Sequence, residues 1–266
     1  MQLRRLGMAA LLSGCLAVPA AATPVDLELI MAFDTSGSVD GVDFSSRRAA
    51  TAAAFRDAGV IDKIVNGAIG SIAVTLWDFG TTVGVAVDWM LVHDAASANA
   101  LADAIEAAGR LDGGDDGQAY MLRKAAIAIN ANDYEGTRRV VDIVSEGVQT
   151  AGCDYTSPDC QATRDARDVF LAAGGSAVNA LWMRDRDYFG IHAGVITNAL
   201  EYGAMSVIGG TNSFQMFAET NQDFVAGINA KLVREITDPG PDVPEPATMT
   251  LLGVSLLGLA ARRRRH

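Results

Sequence analysis

Residues 30–41 read I-M-A-F-D-T-S-G-S-V-D-G, with one carboxylate and two hydroxyls at alternate positions, Asp34, Ser36 and Ser38, directly behind an apolar run. Hard divalent cations take oxygen ligands, typically six for magnesium. A carboxylate with two hydroxyls gives three short ligands from one turn and leaves positions for water. Little protein charge then reaches the ion, so it stays Lewis-acidic toward a carboxylate arriving on a partner. The same residues have a plainer use. Ser36 and Ser38 can cap a helix starting near Val42, with Asp34 accepting backbone N–H groups.

Catalytic constellations are sparse. Nucleophilic catalysis needs a base within reach of the nucleophile. The three histidines, His93, His192 and His266, fall in no triad, and no Gly-x-Ser-x-Gly elbow occurs. His93 is placed to cap the helix after it. No Gly-rich nucleotide loop is present, and D-T-S-G-S lacks the second aspartate of a phosphotransferase loop. Asp115 and Asp116, in L-D-G-G-D-D-G, read as a polar loop, and Arg184 to Asp187 as a solvated charged turn. A non-enzymatic role is favoured; metal-assisted hydrolysis at Asp34 would lack an evident general base.

The elements that must position these residues alternate in type. Leu27–Phe33 is an apolar run of central-strand character. Val42–Ala58 and Val60–Ala68 have helical character, with arginines along one side. Gly70–Trp77 and Thr82–Trp89 are strands joined by a tight turn. Helices are expected over 95–108 and 119–131, then a strand at 139–144, a helix at 162–173 and a strand at 176–183. A helix at 191–202, a short strand at 206–209 and a helix at 221–236 complete the body. One hairpin followed by helix–strand units predicts an α/β fold: a doubly wound, mostly parallel sheet with one antiparallel strand and helices on both faces. In such sheets ligands bind beyond the carboxyl ends of the strands, where D-T-S-G-S falls.

The spacing Asp34-x-Ser36-x-Ser38, after a strand and before a helix, resembles the metal-ion-dependent adhesion site of von Willebrand factor A domains. The stretches G-S-I-A-V-T-L-W, R-R-V-V-D-I-V-S-E-G and S-V-I-G-G-T-N-S-F are similar to those of one uncharacterised bacterial family of secreted proteins in that superfamily. The resemblance covers residues 25–236. It implies two further ligands, a threonine on a second loop and an aspartate on a third. Gln118 stands at the threonine position, with Asp115 or Asp116 as possible substitutes, and Glu146 at the aspartate position. A substitute carboxylate would add charge and lower affinity for an acidic ligand. The implied cofactor is a divalent cation, magnesium first, with calcium or manganese as alternatives.

Both ends read as addresses. Residues 1–22 carry Arg4 and Arg5, an apolar stretch and Ala20-Ala21-Ala22, the plan of a secretory signal cleaved near Ala22. Leu12-Ser13-Gly14-Cys15 also resembles a lipoprotein box, an alternative in which Cys15 is lipidated. The other end, from 239 to 246, is a linker holding Pro244-Glu245-Pro246, followed by an apolar segment Ala247–Ala261 and Arg262 to Arg265. It resembles the Pro-Glu-Pro C-terminal sorting signal of Gram-negative bacteria, whose handling implies an exosortase-type membrane transpeptidase. The apolar segment is short of the ~20 residues of a permanent span, and the arginines hold its end in the cytoplasm. Export into an oxidising compartment predicts a disulfide between Cys153 and Cys160.

The net charge of −11 includes six terminal arginines, so the part between the ends stands at −17. Such a body disfavours nucleic acid and anionic lipid. The expected domains are thus a signal (1–22), a von Willebrand factor A-like body (23–238), the linker (239–246) and a membrane segment with basic tail (247–266). The expected role is surface-directed adhesion to an acidic protein ligand or extracellular polymer, touching membrane only through the tail. The alternatives are a metal-dependent envelope hydrolase and a metal-free structural component of the extracellular matrix.

Overall fold

A computed structural model describes residues 22–238 except 112, 155 and 185–198. The chain runs β1 (Thr23–Asp34), α1 (Gly41–Arg56), α2 (Ala58–Val65), β2 (Ile72–Phe79), β3 (Val83–Val92), α3 (Ala95–Ala107), α4 (Gln118–Ala128) and β4 (Tyr134–Ser145). It continues through α5 (Gln161–Ala172), β5 (Ala177–Met183), α6 (Ala199–Tyr202), a π-turn (Gly203–Val207), β6 (Gly209–Gly210), β7 (Gln215–Ala218) and α7 (Asn221–Thr237).

The sheet order is β3-β2-β1-β4-β5-β6, with β7 also on β5. β1 lies parallel between β2 and β4, β5 is parallel to β4, and β3 is the expected antiparallel strand. A two-residue antiparallel bridge, Ala177–Gly210 and Val178–Gly209, joins β6 to β5. Side chains of a strand alternate between faces, so β1 serves two cores at once. Leu27, Leu29, Met31 and Phe33 pack against α1, α2, α3 and α7, while Ile30 and Ala32 pack under α4 and α5. Helices therefore cover both faces, and β1 delivers Asp34 to the carboxyl edge of a sheet held from both sides.

Several elements differ from the sequence reading. The break between the helices expected over 42–58 and 60–68 falls earlier, at Asp57, which is extended (ψ 128°) and accepts the N–H groups of Gly59 and Val60 at 2.9 and 3.1 Å to cap α2. Two of the three arginines of α1 turn inward: Arg47 pairs with Glu146 and Arg48 with Asp78, and both are buried. Of the strand expected at 206–209, Ser206 and Val207 belong to the π-turn and Gly209 to β6. Ser206 Oγ accepts from Cys160 N (2.9 Å) and donates to Pro158 O (2.8 Å), which coils the segment onto the loop beside it. β7 has no counterpart in the sequence reading. His93 is not the cap of α3; Asp94 is, accepting Ser97 N at 2.7 Å. The Cys153–Cys160 disulfide is formed, with Cα atoms 5.6 Å apart.

A second polar cluster lies within the core on the α7 side. Lys231 donates to Asp142 in the middle of β4 and to Glu235 at 2.9 Å, and all three are fully buried. Asn179 on β5 donates to Glu235 at 2.9 Å. Near the start of β4, Arg138 donates to Glu235 O (2.5 Å) and pairs with Asp238 (3.0 Å), so it grips the far end of α7. Among the described residues no helix is long and apolar enough to cross a membrane. The signal region, the Pro244-Glu245-Pro246 motif and the Ala247–Ala261 segment lie outside the described residues, as do His192 and Asp185 to Phe189.

Candidate functional site

Asp34 ends β1 with its side chain buried at the carboxyl edge of the sheet. Its Oδ1 accepts Ser36 N at 2.8 Å, which folds the adjoining loop back on the carboxylate. Ser36 and Ser38 bring their hydroxyls within 3.3 Å of each other. Neither caps α1: Asp40 does, accepting Val42 N and Asp43 N at 2.7 Å each. The capping use expected for the two serines is thus corrected, and their hydroxyls are left for other work.

Two further loops close on this turn. In the second, Gly37 N donates to Gly114 O at 2.9 Å, and Arg110 donates to the carbonyls of Thr35, Ser36 (2.6 Å) and Val39 (2.7 Å). The approach needs glycine: Gly114 has φ +85°, and a Cβ on it would sit 2.2 Å from Thr81 Oγ1. From this loop Asp116 turns inward and is only 6% exposed. The polar-loop reading of Asp115 and Asp116 holds for exposed Asp115 and fails for Asp116. The third loop begins at Ser145, the last residue of β4. Its hydroxyl donates to Asp34 Oδ2 at 2.7 Å and lies 3.2 Å from Asp116 Oδ2. One hydroxyl proton serves one carboxylate at a time, so Asp34 and Asp116 face each other across a single serine.

This arrangement sets the electrostatics. Burial, then the charge of Asp34, hold the Asp116 carboxyl well above the usual carboxylate range. Asp116 Oδ1 is buried without a hydrogen-bond partner among the described residues. No ion pair among the described residues includes Asp34 or Asp116, whereas Glu28, Asp78, Asp142, Glu146 and Glu235 each face a lysine or arginine.

The five residues expected at the site, Asp34, Ser36, Ser38, Gln118 and Glu146, fall on the same three loops. Two of them are otherwise engaged. Glu146 accepts from Arg47 of α1. Gln118, fully buried at the start of α4, turns its amide nitrogen inward, 3.2 Å from Asp116 Oδ2, 3.2 Å from Ser145 Oγ and 2.9 Å from Gly147 O. Its Oε1 accepts from Tyr202 at 2.7 Å. The sequence reading gives Ser145 and Arg47 no role. Ser145 is visible as the first residue of S-E-G at a strand end, but Arg47 has no local signal, since its partner lies 99 positions away.

What remains suits a hard cation: two carboxylates and hydroxyls, with a buried carboxylate oxygen lacking a partner. Among the described residues no group of three or more His, Cys, Asp or Glu is placed to hold a metal, so hydroxyl oxygens would have to share the ligation.

The fold is that of a von Willebrand factor A-like domain. The chain belongs to the family described as "Protein of unknown function (DUF1194)", matched over residues 24–240, and residues 242–265 match the PEP-CTERM protein-sorting motif. That motif implies processing by an exosortase-type enzyme and marks an exported, surface-directed protein. No curated protein matches the sequence. Solved structures with this fold include the pilus adhesin SpaC of Lactobacillus rhamnosus GG in its open conformation (16% identity, TM-score 0.55, covering 81% of this chain and 30% of that one). Another is a D319A mutant of the PilB minor pilin of Streptococcus sanguinis (14% identity, TM-score 0.57, 83% and 63% covered). A third is a von Willebrand factor type A protein of Catenulispora acidiphila (11% identity, TM-score 0.52, 80% and 43% covered). The chain spans less than two thirds of each, and the likeness concerns the fold.

Proposed function

We propose that this protein is a surface-displayed binding domain that holds a divalent cation at an altered adhesion site and engages an extracellular ligand through it. One observation carries the reading: the carboxylates of Asp34 and Asp116 converge on Ser145 with no lysine or arginine among the described residues paired to either. A cation supplied from outside is the simplest group to satisfy both acids and the Ser36 and Ser38 hydroxyls. Magnesium suits a compact set of oxygens that keeps several waters, and calcium or manganese would fit the same donors. Asp34, Ser36, Ser38 and Ser145 would hold the ion, and the ion's open positions would meet the ligand.

Before processing, the sorting signal would tether the chain in the inner membrane of a Gram-negative cell, and the exosortase-type enzyme would then release it outward. The adhesin and pilin with the same fold support a binding role.

Calorimetric titration of the purified protein with magnesium, calcium and manganese tests the reading, with Asp34→Ala in parallel. Saturable binding that Asp34→Ala abolishes is expected. If neither protein binds any of the three, the cation reading fails.

A further inference from the structure

Two side chains stand where the site needs another protein ligand, and their contacts differ in kind. Gln118 has its amide nitrogen against Asp116 Oδ2, Ser145 Oγ and the carbonyl of Gly147, and its oxygen accepts from Tyr202. Tyr202 is held in turn by the Thr163 hydroxyl 3.1 Å away. Rotating the amide would set its oxygen against a carboxylate and a carbonyl, so its neighbours fix the orientation. Asp116 is the reverse case. Its backbone is pinned on both sides: its N–H donates to Thr150 Oγ1 (3.0 Å), and its carbonyl accepts from Ala151 N (3.3 Å). Its carboxylate is thereby aimed at Asp34, with Oδ1 buried and without a partner among the described residues.

We infer that Asp116, in place of Gln118, completes the cation's protein ligands beside Asp34, and that the resulting site takes an uncharged oxygen donor, a hydroxyl or carbonyl, as its external ligand in place of a carboxylate. The inference rests on the cation reading above. Two carboxylates cancel the charge of a divalent ion, so the ion loses its pull on a third. The body around it, at −17 without the terminal arginines, adds repulsion against any acidic polymer within a Debye length of roughly 8 Å. Gln118 is then a positioning residue: its N–H groups hold Asp116 and Ser145 toward the ion, as outer-shell donors orient ligating carboxylates elsewhere. The Thr163–Tyr202–Gln118 chain ties that orientation to α5, which begins directly after Cys160.

The test uses the full chain in detergent and four proteins: the parent, Asp34→Ala, Asp116→Asn and Gln118→Glu. Magnesium and calcium are titrated by calorimetry, and circular dichroism melts verify folding. Asparagine matches aspartate in shape and removes a charge that burial disfavours, so Asp116→Asn keeps the fold. Asp116→Asn is expected to weaken cation binding at least about 100-fold, the upper end of what loss of an outer-shell partner costs. Gln118→Glu is expected to weaken it as well, since it sets a carboxylate against Asp116 and the Gly147 carbonyl. Tightening of binding by Gln118→Glu, or a loss below about 10-fold in Asp116→Asn, the least that an outer-shell change costs, overturns the ligand assignment. In a second arm the cation-loaded parent is passed over immobilised poly-glutamate. It is expected to flow through. Retention that EDTA releases overturns the choice of ligand class. A parent that binds no cation overturns the underlying reading instead, a result separate from both.

Discussion

The molecule buries two acidic clusters, and they are built in opposite ways. In the core beside α7, Asp142 and Glu235 share a cation that the chain itself provides, Lys231, with Asn179 and Arg138 at the margin. At the carboxyl edge of the sheet, Asp34 and Asp116 share only the Ser145 hydroxyl. Buried charge is tolerated when it is paired. The first cluster has its cation in place, although Asp142 Oδ2 and Glu235 Oε2 are, like Asp116 Oδ1, buried without a hydrogen-bond partner among the described residues. The second has no lysine or arginine of its own among the described residues, and that difference is what makes it the candidate site.

Breaking the pairing inside the core should have the largest effect. Lys231→Met leaves two buried carboxylates without their cation and should cost about 3–5 kcal/mol in urea unfolding, with no rescue by added magnesium. A marginal domain would then fail to fold, which is itself the expected direction.

Supplying the missing charge at the edge comes next. A ligand present at 100 times its Kd stabilises by about 2.7 kcal/mol. For a body of this size that is roughly 5–10 °C in Tm, to be read in a melt with saturating magnesium against EDTA. Asp34→Ala should erase the increment and Lys231 substitutions should not mimic it.

The disulfide sharpens the contrast further. Cys153→Ser with Cys160→Ser opens a loop of seven-residue separation and should lower stability by about 2 kcal/mol. It should also loosen cation binding in the same titration, because Gln149, in the segment leading into that loop, accepts Ala119 N (2.5 Å) beside Gln118. The core cluster is not connected to it.

The smallest effect has the opposite sign. In EDTA, Asp116→Asn should raise Tm slightly, because burial and the Asp34 charge disfavour the ionised carboxylate that the amide replaces. Asp142→Asn, which disturbs a paired acid, should lower it. If both changes moved Tm the same way, the distinction between the two clusters would fail.

Much of the fold is legible in the sequence. The strands β1, β2, β4 and β5 are apolar runs long enough to mark themselves, and the hairpin of β2 and β3 announces the antiparallel strand β3, though not the short antiparallel bridge of β6. Asp34, Ser36 and Ser38 are visible because they lie close together and directly behind a strand. Asp116 reads as part of a polar loop, and only as a substitute ligand, because two aspartates among glycines look solvated until a second loop folds over them. The burial of Arg47 and Arg48 is hidden for a similar reason: their partners, Glu146 and Asp78, come from other elements, and a charged helix face gives no hint of acids waiting beneath it. Gln118 falls on the expected loop, but which end of its amide faces inward depends on Tyr202, 84 positions away.

The grip of Arg138 on the end of α7 has a consequence for display. α7 begins beside the carboxyl edge of the sheet and finishes at Asp238, near the first residues of β4 and of β1. Both chain ends of the folded body, Thr23 and Asp238, therefore leave from the pole opposite Asp34. The oxygen-rich loops thus lie clear of both points at which the chain enters and leaves the fold.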